Sequence, residues 1–236
     1  MPLATKTAIA SILLVAMSGV ALGASKTYDL GAFTGVDIST GVNAEITVGP
    51  AQSVRAESPR QEELDKLIVE ISHGKLIART DWNILDLFSF GDRNTTLFIT
   101  VPALDSAEAS SGADINVTGI SGEDVTLKSS SGADIDAKAA AGKSFEISVS
   151  SGADIEVEGA CGSASVDVSS GARLKADGLE CTDVDIGASS GANADVFASA
   201  SVKADASSGA NIDVYGKPAK VDVEESSGGD VGIRGL

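Results

Sequence analysis

The sequence contains one histidine, two cysteines, one tryptophan and five prolines, and aromatic residues make up only 4% of the chain. Each shortage closes a route. A lone histidine cannot build a multi-histidine zinc site, and two cysteines cannot staple a disulfide-dense scaffold. With so few rings, the interior must be filled by small and β-branched side chains in regular layers, which suits a repeat architecture. Cations are scarce as well: 17 Lys and Arg face 34 Asp and Glu, a net charge of −17. Such a field repels nucleic acid and anionic lipid, so nucleic acid is excluded as a partner, while cations and basic surfaces are favoured.

Long apolar runs are missing except at the start. Lys6 precedes a stretch from Ala8 to Leu22 that is broken only by Ser11, Ser18 and Gly19. This is the pattern of a secretory signal peptide, shorter than the ~20 apolar residues of a membrane span. Ala21 and Gly23 have the small-residue spacing of a cleavage site, so residues 1–23 are expected to be removed on export. Cleavage removes only Lys6 among the charges, leaving 16 cations against 34 anions, or −18. No later segment could span a membrane, so the mature chain is expected in the periplasm, at the cell surface or secreted.

Seven glycines, each preceded by two serines, punctuate the second half: Gly112, Gly132, Gly152, Gly171, Gly191, Gly209 and Gly228, 18 to 20 residues apart. After them run segments such as Gly-Ala-Asp-Ile-Asn-Val (112–117) and Gly-Ala-Asp-Ile-Glu-Val (152–157), apolar and polar by turns. That two-residue period marks a strand with one buried face. A second alternating segment precedes most of the glycines, for example Phe145, Ile147 and Val149. A coil of about 19 residues with two or more short strands can close on itself and stack on the next at ~4.8 Å, which predicts a parallel β-helix. A propeller would need about twice this period.

Stacking turns sequence columns into ladders. Ile115, Ile135, Ile155, Leu174, Ala194, Ile212 and Val231 form a core stripe, and a serine ladder from Ser111 to Ser227 lines the corner, where hydroxyls can satisfy turn groups or one another. Between Gly31 and Val101 the pattern is looser. Strands are expected near 36–38, 44–48, 67–71, 76–78 and 97–101, with a turn or short helix over 58–66 and Gly41 heading a degenerate copy of the repeat. Residues 24–105 are therefore read as opening strands and cap, and 106–236 as regular coils of one continuous domain, because solenoid ends need protection from edge pairing.

The residues that could carry chemistry lie in the outward columns. Asp114, Asp134, Asp136, Asp154 and Glu156 form an acidic patch, with Arg173 and Lys175 one coil further on. A solvated acidic face is the plainer reading. Weak Ca²⁺ binding is the alternative, although the calcium β-roll repeat is absent. Paired carboxylates would also permit a polysaccharide lyase or hydrolase, but a regular ladder offers no insertion to build a cleft, so no catalytic residue is assigned. His73, beside Gly74, reads as a turn residue. Cys161 and Cys181 each lie ten residues before a repeat glycine. Equivalent positions one coil apart sit ~4.8 Å apart, within the ~4.4–6.8 Å range of bridged Cα atoms, so a disulfide is expected, with a reduced stack the alternative. The segment 81–91 concentrates Trp82, Phe88 and Phe90 outside the repeat. It reads as a hydrophobic cap over the solenoid end or as a protruding binding loop for sugar or protein.

The leader, the strand ending Phe98-Ile99-Thr100-Val101-Pro102-Ala103-Leu104 and the Gly-Ala-(Asp/Asn)-Ile units resemble the "putative auto-transporter adhesin, head GIN domain" family over roughly residues 30–234. The resemblance implies a right-handed parallel β-helix of the pectin-lyase-like type, an extracytoplasmic location and no catalytic residues. The expected function is thus non-enzymatic: an adhesin-like or envelope-structural solenoid presenting a rigid acidic surface. Its expected partners are a surface glycan, an envelope protein, or further copies of itself end to end.

Overall fold

The computed structural model describes residues 23–81 and 95–235. Its geometry starts at the repeat's corner. In each Ser-Ser-Gly-Ala unit the second serine and the glycine both take positive φ, as at Ser151 (55°) and Gly152 (68°). The unit closes with the alanine N–H donating to the first serine's carbonyl, Ala153 to Ser150 at 3.2 Å. Two consecutive left-handed residues closed by such a bond make a type I′ turn. The degenerate copy does the same with Thr40 (59°) and Gly41 (69°). From Gly112 to Gly191 the corner glycine N–H then donates to the second serine's carbonyl of the next coil, as in Gly132 to Ser151 and Gly152 to Ser170. The corner ladder is therefore carried by the backbone, and the second serine's side chain, expected to bond there, is exposed instead. The alanine after each glycine is fully buried, which leaves room at the corner for a methyl group and little more.

The corner passes the chain between two parallel stacks. The first holds β2 (Gly35–Ser39), β8 (Ser106–Ser110), β10 (Ser121–Ser130), the C-terminal parts of β11 (Asp134–Val149), β12 (Asp154–Val168), β13 (Arg173–Ala188) and β14 (Asn193–Ala206), and β16 (Lys220–Glu225). The second holds β3 (Asn43–Val48), β9 (Asp114–Thr118), the N-terminal parts of β11 to β14, β15 (Asn211–Gly216) and β17 (Asp230–Ile233). β11 to β14 run continuously around the side away from the corner, with register shifts where they bend. The chain is a parallel β-solenoid. Ile115, Ile135, Ile155, Leu174, Ala194 and Ile212 are buried in register. Each large side chain so placed contributes about 1.5–3 kcal/mol through burial.

Chain order and stacking order part company at the N-terminal end. β2 and β3 lie between β8 and β9 on one side and β6 (Lys75–Thr80) and β7 (Thr96–Val101) on the other. The coil headed by Gly41 is thus second in the stack, although first in the chain. Antiparallel strands then close the edges: β5 (Leu67–Ser72) on β6, β4 (Ser53–Ser58) on β7, and β1 (Ala24–Tyr28) on β4. Helix α1 (Gln61–Lys66) buries Leu64 beside β1 and β4. Reversing direction ends the parallel stacking, and the helix covers apolar surface that a further coil would otherwise bury.

On the side away from the corner, Cys161 and Cys181 stand opposite each other in adjacent coils and are joined by a disulfide with Cα atoms 4.5 Å apart.

Gly152→Ala meets no atom within 4 Å, so its cost is the left-handed backbone alone. It is expected to lose about 1–2 kcal/mol, whereas Ser151→Asn, placing a residue tolerant of that region, is expected to hold or raise stability. Thermal unfolding of both variants checks this, and equal losses would refute the turn argument. The disulfide closes a 20-residue separation, so Cys161→Ser should cost roughly 3 kcal/mol. Alkylation and mass spectrometry without reductant should find no free thiol in the wild type.

Candidate functional site

The outward face of the second stack gathers the predicted acidic residues. Register pairs Asp114 with Asp134 and Asp134 with Asp154, and Asp136 with Glu156. Partial burial, then the charges of Asp114 and Asp154, push the Asp134 carboxyl above its ordinary value. Neighbours offset the rest. Arg173 lies 3.8 Å from Asp154, Lys175 pairs with Glu156, and Lys138 with Asp136 at 3.0 Å. Further along, desolvation and then Asp177 and Asp213 raise Asp195, while Arg234 reaches Asp213 at 2.9 Å. Amides fill the remaining positions: Asn116 donates to Glu45 at 2.9 Å, and Asn211 to Asn193 at 3.2 Å. The face is a mixed polar lattice in which cations and amides flank an unbroken run of three aspartates.

The same cross-strand row continues through Glu45 to Phe98 and Arg55. Phe98 is 36% exposed, the one exposed aromatic among the described residues, and the Arg55 guanidinium lies 5.1 Å from its ring centroid while also pairing with Glu57. Sequence reading passed over Phe98 as a strand residue, yet the alternation held the signal. Leu97, Ile99 and Val101 are buried and Thr96, Phe98 and Thr100 occupy the other phase, so a ring stands where the pattern asks for a polar side chain. Trp82, Phe88 and Phe90 lie outside the described residues. Their segment is flanked by fixed points: Thr80 N–H donates to Thr40 Oγ1 (2.8 Å), Asp81 N–H to the Lys66 carbonyl (3.0 Å), and the Thr95 carbonyl accepts from Asn43 (3.0 Å).

The first stack's outward face mixes carboxylates, hydroxyls and lysines. Ser144 donates to Asp124 and Ser201 to Asp183 in the neighbouring coil. Asp37 is pushed up by burial and by Glu108, against Lys75 and Arg79. The depressions on this face are open to solvent. His73 is exposed in the tight turn between β5 and β6, its Nδ1 2.9 Å from the Ser72 hydroxyl. Among the described residues no three His, Cys, Asp or Glu side chains are placed to hold a metal ion. Nor, among the described residues, is any helix long and apolar enough to cross a membrane.

Comparison with known proteins agrees with this architecture. The family model described as "Putative auto-transporter adhesin, head GIN domain" matches residues 32–218. A crystal structure of a putative adhesin from Bacteroides fragilis superposes with a TM-score of 0.79 at 14% identity, covering 90% of this chain and 96% of that one. A putative lipid binding protein from Parabacteroides distasonis gives 0.68 at 13% identity, with 90% and 97% covered. A putative adhesin from the same species gives 0.65 at 14%, with 90% and 96% covered. At these identities the likeness is one of fold. No curated protein matches the chain.

Because Asp134 binds its proton more tightly folded than unfolded, it opposes folding at neutral pH. That penalty is relieved as pH falls through its raised folded value toward the ordinary 3.8. Asp134→Asn is therefore expected to raise the thermal midpoint at pH 7 and low salt by no more than about 2–4 °C. The gain should shrink with salt and vanish below about pH 4. A variant no more stable than wild type at pH 7 would refute the ladder's repulsion.

Proposed function

The chain belongs to the family described as "Putative auto-transporter adhesin, head GIN domain", and from that premise we propose that it acts outside the cytoplasm as a non-enzymatic binding module. Its ligand is a surface glycan, held on the outward face of the second stack. The observation that carries this reading is the row Arg55, Phe98, Glu45 and Asn116. An exposed ring with a guanidinium over it, and a carboxylate bonded to an amide, lie in one row on a rigid, open sheet. An aromatic face packs against the apolar face of a sugar, while planar polar groups take its hydroxyls. Because strand spacing fixes the row, little conformational entropy is lost on binding.

The neighbouring carboxylates favour a neutral or cationic glycan over a polyanionic one. Export through the leader at residues 1–23 completes the reading. The enzyme alternative, a lyase or hydrolase using Asp134 and Asp154, is disfavoured because Asp154 faces Arg173 on an open strand face with nothing to exclude water. A calcium-stabilised role for the same carboxylates is disfavoured because Lys138, Arg173 and Lys175 already pair with Asp136, Asp154 and Glu156.

The purified protein immobilised on beads is expected to retain a component of envelope extract that periodate destroys and protease leaves intact. Phe98→Ala, which removes an exposed ring without opening the core, is expected to reduce that retention at least about ten-fold, equivalent to ~1.4 kcal/mol. Retention that survives periodate and is abolished by protease would replace the glycan with an envelope protein. Turnover of a polysaccharide lost in Asp134→Asn would establish the enzyme instead.

A further inference from the structure

The two ends of the solenoid are treated differently. Antiparallel β1, β4 and β5 and helix α1 cover the N-terminal coil. The coil made by β16 and β17 has no covering element among the described residues. Among the described residues, three of the four exposed large apolar side chains lie there: Val221 (45%), Val223 (38%) and Ile233 (44%). Each sits in register with a core residue one coil below, Val202, Ala204 and Val214 respectively, so each has one buried neighbour and one missing. Every residue of β16 is exposed. One upward-facing donor is taken internally, where the Glu225 carboxylate accepts the Val231 N–H at 2.7 Å.

We propose that this end docks a second copy of the same chain through a two-fold axis, β16 pairing antiparallel with β16 and β17 with β17. Because the opposite end is covered, a head-to-tail stack is blocked and the interface must be isologous, which closes at two copies. The sequence of β16, Lys-Val-Asp-Val-Glu-Glu, is self-complementary in that arrangement. Residues directly opposite in an antiparallel pair share a face, so the register must centre on a residue. Centred on Asp222, it sets Val221 against Val223 of the second copy on the core side and Lys220 against Glu224 on the solvent side, each twice.

Counting outward from the turn closed by Gly229 N–H on the Ser226 carbonyl, Asp222 in β16 lies level with Ile233 in β17. One axis therefore also brings Ile233 against its own copy. The cost is a single like-charge contact, Asp222 with Asp222. The apolar columns become continuous across the junction, and the dimer presents two binding faces, so a repetitive surface would be held with avidity.

Sedimentation velocity of the purified protein over a concentration series is expected to give a monomer–dimer equilibrium. Lys220→Glu, which replaces two attractive contacts with two repulsive ones, should weaken it about ten-fold. Adding Glu224→Lys in the same chain should restore it, and Asp222→Asn should tighten it. These side chains are exposed, so the variants are expected to fold, and unchanged circular dichroism checks that. A protein that remains monomeric throughout overturns the proposal. So does a dimer that is indifferent to Lys220→Glu, or one that the double exchange fails to restore.

Discussion

Everything regular in this protein depends on a turn with two consecutive left-handed residues. An L-residue there costs roughly 1–2 kcal/mol, so the chain places glycine at the second position and a small serine at the first. At the corners from Gly112 to Gly191 the conformation then gives back two hydrogen bonds. One closes the turn, and the other runs from the glycine N–H to the serine carbonyl of the next coil. The second bond makes the corner a register device, since each turn is tied to its neighbour and the strands on either side are fixed in the stack. A one-residue slip would carry every isoleucine of the core column to the solvent face.

From that constraint the faces follow. Once Ile115, Ile135 and Ile155 are stacked inward, the residues between them must stack outward, and Asp114, Asp134 and Asp154 become neighbours whether or not their charges agree. The remainder of the face is a response to that enforced proximity. Arg173 and Lys175 fall one coil beyond the acids, Asn116 bonds Glu45, and on the other stack Ser144 and Ser201 donate to Asp124 and Asp183. The same reasoning argues against catalysis at the ladder. Carboxylates on an open strand face lack the seclusion that would exclude water from a reacting pair.

The solenoid, its core columns, the stacked cysteines and the outward acidic columns were all legible in the sequence because each is a periodic quantity, and period is what sequence reports best. What escaped was aperiodic. β4 and β8 are short strands whose buried positions include Ala56, Ala107 and Ala109, too weakly apolar to announce a period, and β1 has no fully buried position at all. The insertion of β2 and β3 between coils formed later in the chain is set by long-range pairing, which no local pattern encodes. The serine ladder was expected to work through hydroxyls. The small side chain is instead wanted at a left-handed position, a conformational reason that composition alone does not separate from a hydrogen-bonding one.

Phe98 belongs to the same class of escape, and its position says where specificity must come from. A strict repeat presents the same groups every ~4.8 Å, so it can offer a ligand only a repeated contact, adjustable by sliding along the axis. Recognition of one ligand in one orientation needs a residue that breaks the column. On the second stack's face the break is sharpest where the repeat meets its N-terminal covering strands: glutamate gives way to an exposed ring, and the ring to a guanidinium lying over it. The strands that close the end of the solenoid thus also supply its least repetitive surface. A protein built to be uniform along its length would place selectivity at the junction where uniformity has to stop.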